Sequence, residues 1–171
     1  MTIWFTADQH FGHANIIKHC SRPFADVGEM DKGLIEGWNL RVEKEDTVYD
    51  VGDFAFRGNP AKHYLDRLNG RKVLITGNHD VVAPDDPWEA VENYRVVKWS
   101  GQTFVLFHYP MEEWDGYFRG TIHLHGHVHS KTPAWGGKVR NRIDVGVDAN
   151  RFMPVAASEL LMFPHMELRQ E

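Results

Sequence analysis

The sequence predicts an α/β protein in which two mixed β-sheets pack face to face with helices outside, a four-layer αββα sandwich. Three observations lead there. Apolar runs alternate with helical patterns through the first 76 residues, the mark of strand–helix–strand connections. A hairpin and a strand-rich last third point to a second sheet. The residues with unusual chemistry fall just after the predicted strands, the edge where α/β sheets bind ligands.

The strands read as Ile3 to Ala7, Val48 to Val51, Val73 to Thr76, Thr103 to Phe107, Thr121 to His125 and Ile143 to Val147. Between the first two, Met30, Leu34, Ile35, Trp38 and Val42 recur on one face of a helix. Gly33 and Gly37 weaken that helix, so packing must hold it. A second helix has Asn59 as its expected cap and Pro60 in its first turn. Its apolar stripe is Tyr64, Leu65 and Leu68, and Gly70 ends it. The run from Arg95 to Trp99 pairs with the run from Thr103, turning at Ser100–Gly101–Gln102. A short helix is expected from Ala157 to Met162. No repeat, linker or low-complexity tract divides the chain, so residues 1–171 read as one domain.

Composition narrows the functional classes. Apolar residues make up 42% of the chain, enough for a packed core and too many for a disordered protein. No apolar run reaches the ~18 residues of a membrane span. The first residues lack a basic region and place Asp8 inside the apolar stretch, which argues against a signal peptide. Cys20 is the single cysteine, which excludes an intramolecular disulfide and fits a reducing, cytoplasmic setting. With 24 acidic against 19 basic residues, broad charge-driven nucleic-acid binding is disfavoured. One count is out of line. Of 11 histidines, four (His123, His125, His127 and His129) alternate within one short segment. Histidine is a frequent metal ligand and proton carrier.

Asp8-x-His10 offers a carboxylate and an imidazole on one side of an extended segment, where both could chelate a divalent ion. A polar strand end would look the same. Gly52–Asp53 alone reads equally well as a turn. Gly77–Asn78–His79–Asp80 says more. Glycine permits a sharp turn, Asn78 offers a neutral oxygen, His79 can handle protons and Asp80 can orient it. The plain alternative is turn chemistry. His127 and His129 also share a face by alternation, and two close imidazoles must be neutral, hydrogen-bonded or share a cation. His108 is one more imidazole at a strand end. A mixed His, Asp and Asn donor set suits Mn²⁺, Fe, Co²⁺, Ni²⁺ or Zn²⁺ better than Ca²⁺ or Mg²⁺.

In order and approximate spacing these five motifs resemble the calcineurin-like metallophosphoesterases, in particular small bacterial and phage-type members with an Asp-x-His-Phe-Gly-His start, here Asp8 to His13. The resemblance implies a binuclear metal-dependent phosphohydrolase, with a phosphodiesterase favoured over a phosphomonoesterase. It implies two divalent transition-metal ions, manganese favoured. Asp8, His10, Asp53 and His129 would hold one ion, and Asp53 would bridge to a second held by Asn78, His108 and His127. His79 would act on the phosphate with Asp80 as its orienter, and a metal-activated hydroxide would attack. Two such ions bring charge that makes the site cationic in a chain of net charge −5.

The expected substrate is a small phosphoester or nucleotide, or a nucleic-acid end. His13, Arg57, Trp114 and Tyr117 are candidate substrate contacts, although a loop folded on the core would explain the two aromatics. Lys131, Lys138, Arg140 and Arg142 could guide a polyanion or simply be a solvated face. His123 reads as a structural residue, while His125 could be either. A histidine-triad hydrolase would need apolar residues where Gly126 and Ser130 stand. A metallo-β-lactamase-type site would need Asp-His after the alternating pair, where Ser130 follows His129. A barrel amidohydrolase would need roughly 250 residues. A non-catalytic scaffold of the same fold would be expected to lack ligands that are present here.

Overall fold

A computed structural model of the protein describes residues 1–57, 59–130 and 141–162. The first half lays down β1 (Ile3–Thr6), α1 (Ala14–His19), α2 (Val27–Arg41), β2 (Thr47–Asp50), α3 (Ala61–Leu65), β3 (Arg71–Ile75) and β4 (Ala90–Glu92). The second adds β5 (Arg95–Trp99), β6 (Gln102–Leu106), β7 (Ile122–His125), β8 (Arg142–Asp144), β9 (Val155–Ala156) and α4 (Ala157–Met162). One sheet has the order β4-β3-β2-β1-β9 and the other β5-β6-β7-β8. Both are mixed: β1 to β4 pair in parallel with β9 antiparallel, and β6 to β8 pair in parallel with β5 antiparallel. Two mixed sheets flanked by helices are therefore the architecture, as the sequence predicts.

Side-chain alternation assigns the faces. Trp4, Val48 and Leu74 point outward to Ile16 of α1, to Met30, Leu34, Ile35 and Trp38 of α2, and to Tyr64 and Leu65 of α3. Their neighbours Phe5, Tyr49, Val73 and Ile75 point inward to Phe104, Leu106, Ile122, Leu124 and Ile143 of the second sheet. Each fully buried large side chain contributes roughly 1.5–3 kcal/mol. The far side of the second sheet is covered, among the described residues, by the loop carrying buried Trp114 and by a 3-10 turn at Tyr117–Arg119.

Local chemistry explains the helices. Asp26 caps α2, its carboxylate accepting from the Glu29 N–H at 2.9 Å, and Glu29 returns a bond to the Ala25 N–H. Gly37 is needed there because a Cβ would stand 2.9 Å from the Phe152 carbonyl oxygen. The expected Asn59 cap of α3 is not made. Pro60 occupies the cap position, and Asn59 donates instead to the carbonyls of Gly12 and Phe56. α3 ends at Leu65, short of the Leu68 its stripe includes, and buried Lys72 donates to the carbonyls of Leu65 and Leu68 at that end.

Several strands end before the apolar runs do. They stop at Thr6, Asp50, Ile75, Leu106 and Asp144 rather than at Ala7, Val51, Thr76, Phe107 and Val147. The hairpin turn is the two residues Ser100 and Gly101, both with positive φ, because Trp99 pairs directly with Gln102. α1, β4 and β9 had no pattern long enough to announce them. Lys131, Lys138 and Arg140 lie outside the described residues; Arg142 opens β8 and donates to the Met111 carbonyl at 3.0 Å.

Candidate metal centre

The carboxyl ends of β1, β2, β3, β6 and β7 release their chains toward one edge. There Ala7 bridges Gly146 in parallel and ties the two sheets together. The loops after β1 and β2 run side by side: Asp8 N–H donates to the Gly52 carbonyl at 2.9 Å and His10 N–H to the Asp53 carbonyl at 3.0 Å. Among the described residues ten non-glycine positions have positive φ, and five of them are Asp8, His10, Asp53, His127 and His129. Left-handed backbone costs roughly 1–2 kcal/mol per residue and gathers at functional sites. Such strain persists only where the surroundings over-determine it.

This backbone corrects the period-two argument. Asp8 and His10 are not in an extended strand, and left-handed residues bring them together. The same twist separates His127 from His129. The donor atoms of Asp8, His10 and His129 form one set, here the inner set, while those of Asp53, His108 and His127 form another. Asn78 Oδ1 lies 3.2 Å from His108 Nε2 and 3.1 Å from His127 Nδ1, completing an outer set. Asp53 stands between them: its Oδ2 is 3.5 Å from His10 Nε2 and 3.5 Å from His108 Nε2. Asp8 and His108 are fully buried, whereas Asn78 and His127 are exposed.

Two glycines make room for the carboxylates. A Cβ on Gly126 would come within 2.5 Å of Asp8 Oδ2, and one on Gly77 would collide with Asp53 Oδ1. Asp8 is held by two contacts from the His127 N–H, at 2.9 and 3.0 Å. Burial nevertheless pushes its pKa up to about 7, against the pull of His129 and His108. Burial also pushes Asp53 up, but the hydrogen bond and charge of His108, with the His79 N–H and His10, win and hold it below the usual range. Burial drives His10 down, opposed by Asp53.

The ring nitrogens are ordered. His108 Nδ1 meets the Val51 carbonyl at 2.8 Å, leaving Nε2 for the centre. His129 Nδ1 meets Asp148 Oδ2 at 2.8 Å, and His10 Nδ1 lies 3.4 Å from His13 Nδ1. His10 Nε2 is buried with no hydrogen-bond partner. A buried, unsatisfied imidazole nitrogen facing a carboxylate, beside a second donor set of the same kind, fits a divalent cation.

His79 sits over the inner set, its ring 5.0 Å from that of His10 and its N–H bonded to Asp53 Oδ1 at 2.8 Å. The expected role of Asp80 needs correction. Its carboxylate accepts from the Asp53, Phe54 and Gly77 N–H groups, so it ties the loops together, and buried His79 Nδ1 has no partner. His13 joins the cluster, stacked on Phe56 at 3.8 Å. Arg57 is exposed at the rim, 3.5 Å from the Asn78 carbonyl.

Trp114 and Tyr117 are not where a substrate contact was expected. Trp114 is buried against His123 and donates to Thr121 Oγ1 at 2.9 Å, and Tyr117 packs on its ring. The buried His123 ring is satisfied as a neutral imidazole, Nδ1 facing the Val105 carbonyl at 3.0 Å and Nε2 accepting from the Met111 N–H at 3.2 Å, and burial lowers its pKa to about 4. His125 bonds to the Gly126 carbonyl.

Sequence reasoning missed four residues here. Tyr109, 39% exposed, lies edge-on to His127 at 4.6 Å and gives the outer set an accessible aromatic wall. Phe56 backs His13. Arg22 and Asp148 are buried together beneath the inner set. Tyr109 follows His108 directly and was the available signal; the other three stand in no motif.

No family model matches the chain. The uncharacterized protein MJ1445 of Methanocaldococcus jannaschii is 40% identical over 161 residues, covering 90% of this chain and 86% of its own. A crystal structure of the Aquifex aeolicus protein AQ665, of unknown function, superposes with a TM-score of 0.77 at 25% identity, covering 95% of this chain and 99% of that one. A novel archaeal phosphodiesterase superposes with a TM-score of 0.50 at 17% identity, covering 85% and 82%.

Proposed function

We propose, from the premise that this chain belongs to one family with MJ1445 of Methanocaldococcus jannaschii and has the calcineurin-like phosphoesterase fold, that it is a metal-dependent phosphoric ester hydrolase. The observation that carries the proposal is the place of Asp53, one carboxylate oxygen equidistant from imidazoles of two donor sets. Asp8, His10 and His129 would hold one divalent cation, and Asn78, His108 and His127 another, with Asp53 shared. Such a pair supplies Lewis-acid polarisation of a phosphoryl oxygen and a water of lowered pKa.

The chain's own residues do the rest. The buried carboxylates and ordered imidazoles pre-form the donor sets, so little reorganisation is needed at the moment of reaction. His79 is held by its backbone rather than by its ring, which leaves the imidazole at the edge of the cluster to give a proton to the departing oxygen. Asn78 and His127 are exposed, and Arg57 and Tyr109 border them, so a phosphate with a bulky substituent can reach the outer set. That access, and the archaeal phosphodiesterase of the same fold, favour a small or nucleotide-type phosphodiester over a monoester.

The test is hydrolysis of an aryl phosphodiester, an aryl phosphomonoester, cyclic nucleotides and an oligonucleotide by Mn²⁺-loaded protein. Cleavage that stops with chelator and returns with Mn²⁺ is expected, fastest on a diester. Activity indifferent to chelator would refute the metal centre, and a monoester preference would refute the diesterase.

A further inference from the structure

We propose that Arg22 and Asp148 form a buried positioning pair that holds His129 in the tautomer and orientation the inner set requires, a role that rests on the metal-centre reading above. Asp148 Oδ2 accepts from His129 Nδ1 at 2.8 Å. Arg22 grips the same carboxylate with two prongs, Nε to Oδ1 at 3.0 Å and Nη2 to Oδ2 at 2.7 Å. The two side chains are shut away from water, 0% and 1% exposed. The guanidinium also donates Nη2 to the Asp8 carbonyl at 2.7 Å and Nη1 to the Gln9 carbonyl at 2.8 Å. One buried cation thus joins the turn after α1, the loop that carries Asp8 and His10, and the loop after β8 that carries Asp148.

The chemistry assigns the pair its task. A carboxylate at Nδ1 keeps the proton there, leaves the Nε2 lone pair to face a cation, and makes it a better donor. Of the candidate ligand histidines, His129 is the one whose Nδ1 meets a carboxylate; His108 uses a backbone carbonyl, and His10 and His127 face His13 and Asn78. A brace for the fold alone is a poor explanation, because a buried ion pair is often no more stabilising than apolar side chains of the same size. A pair that also touches a ligand ring and two successive carbonyls of the loop carrying Asp8 and His10 is better explained by placement. Asp148 and Arg22 are positioning residues here, one shell away from the reacting atoms.

The experiment uses the full chain and Mn²⁺ alone, with two readouts. Imidazole nitrogen NMR of the metal-free wild type, with His129→Gln to assign the signal, should place the neutral His129 proton on Nδ1. Competition against a chromophoric chelator should show Asp148→Asn weakening the tighter Mn²⁺ site by ~10–100-fold while the weaker site stays within about two-fold. In that variant Arg22 retains the amide oxygen and the NH₂ faces His129, so the neutral imidazole should shift toward the Nε2–H tautomer. A wild-type proton on Nε2 overturns the proposal, as does a folded Asp148→Asn protein with both affinities unchanged. If Asp148→Asn fails to fold, the wild-type tautomer decides. The two readings fail separably: wild type that binds Mn²⁺ but cleaves no phosphoester sinks the hydrolase, whereas unchanged affinities in Asp148→Asn sink the positioning pair alone.

Discussion

The two donor sets share Asp53 and little else. The inner set lies beneath the junction of the sheets, with Asp8 and His10 at 0% and 1% exposure and a charged pair at its back. The outer set opens to solvent through Asn78 and His127, and its buried member, His108, leans on a backbone carbonyl. If each set holds an ion as proposed, burial predicts slower exchange from the first and exposure predicts readier access to the second. The hydrolase proposed above would need one protected cation and one that substrate can reach, and the two groups differ in burial in that sense.

The largest effect should come from the shared residue. Asp53→Asn should cost both sets more than the ~10–100-fold that an outer partner costs, with activity at background. Elemental analysis checks this; loss of one ion alone would break the symmetry drawn around Asp53. His79→Ala should keep both ions and lose ~10²–10⁴-fold in turnover, because the proposed task of that ring is to pass a proton to the departing oxygen. Metal loss in that variant would move His79 into the donor set.

The contrast between sets is sharpened by His127→Ala and His129→Ala. The first should remove the fast-exchanging ion and spare the slow one. The second should remove the slow ion, read as Mn²⁺ off-rates against excess chelator. Identical kinetics for both variants would erase the distinction.

Asp8 adds a pH dependence to the inner set. Burial lifts its pKa from 3.8 to about 7, so the folded chain keeps a proton that the unfolded chain releases. Its contribution to the metal-free fold is therefore present at low pH and lost as pH rises through about 7. Asp8→Asn should stabilise metal-free protein by on the order of 1–3 kcal/mol at about pH 8 and much less at about pH 5, by urea unfolding. An equal gain at both pH values would contradict the burial argument. Wild-type Mn²⁺ affinity should rise across the same range, since the Asp8 proton must leave.

The smallest effect belongs to the rim of the outer set. Tyr109→Ala should raise KM by ~2–10-fold for an aryl diester and leave a methyl diester unchanged.

Much of this was legible before folding. The five motifs contain Asp8, His10, Asp53, Asn78, His108, His127 and His129, and the family resemblance, not their local spacing, sorted these into two candidate sets. The apolar runs located β1, β2 and β3. The misreadings were of conformation. Period-two logic put Asp8 with His10, which left-handed backbone rather than an extended strand brings together, and His127 with His129, which the same backbone separates. Asp80 looked like an orienter of its neighbour, yet three N–H groups of converging loops claimed its carboxylate. Trp114 stood close to His123 in sequence, and the second sheet needed it as cover.

By itself the sequence determined the two-sheet layering and which Asp, Asn and His side chains stand at the strand ends, since these follow from residue type and local period. Only the tertiary structure decided which left-handed turns bring the donors together, and that Arg22 meets Asp148 across 126 positions of chain. Such contacts are set by how two sheets join, and no local pattern encodes the distance between residues that meet only after the sheets have packed.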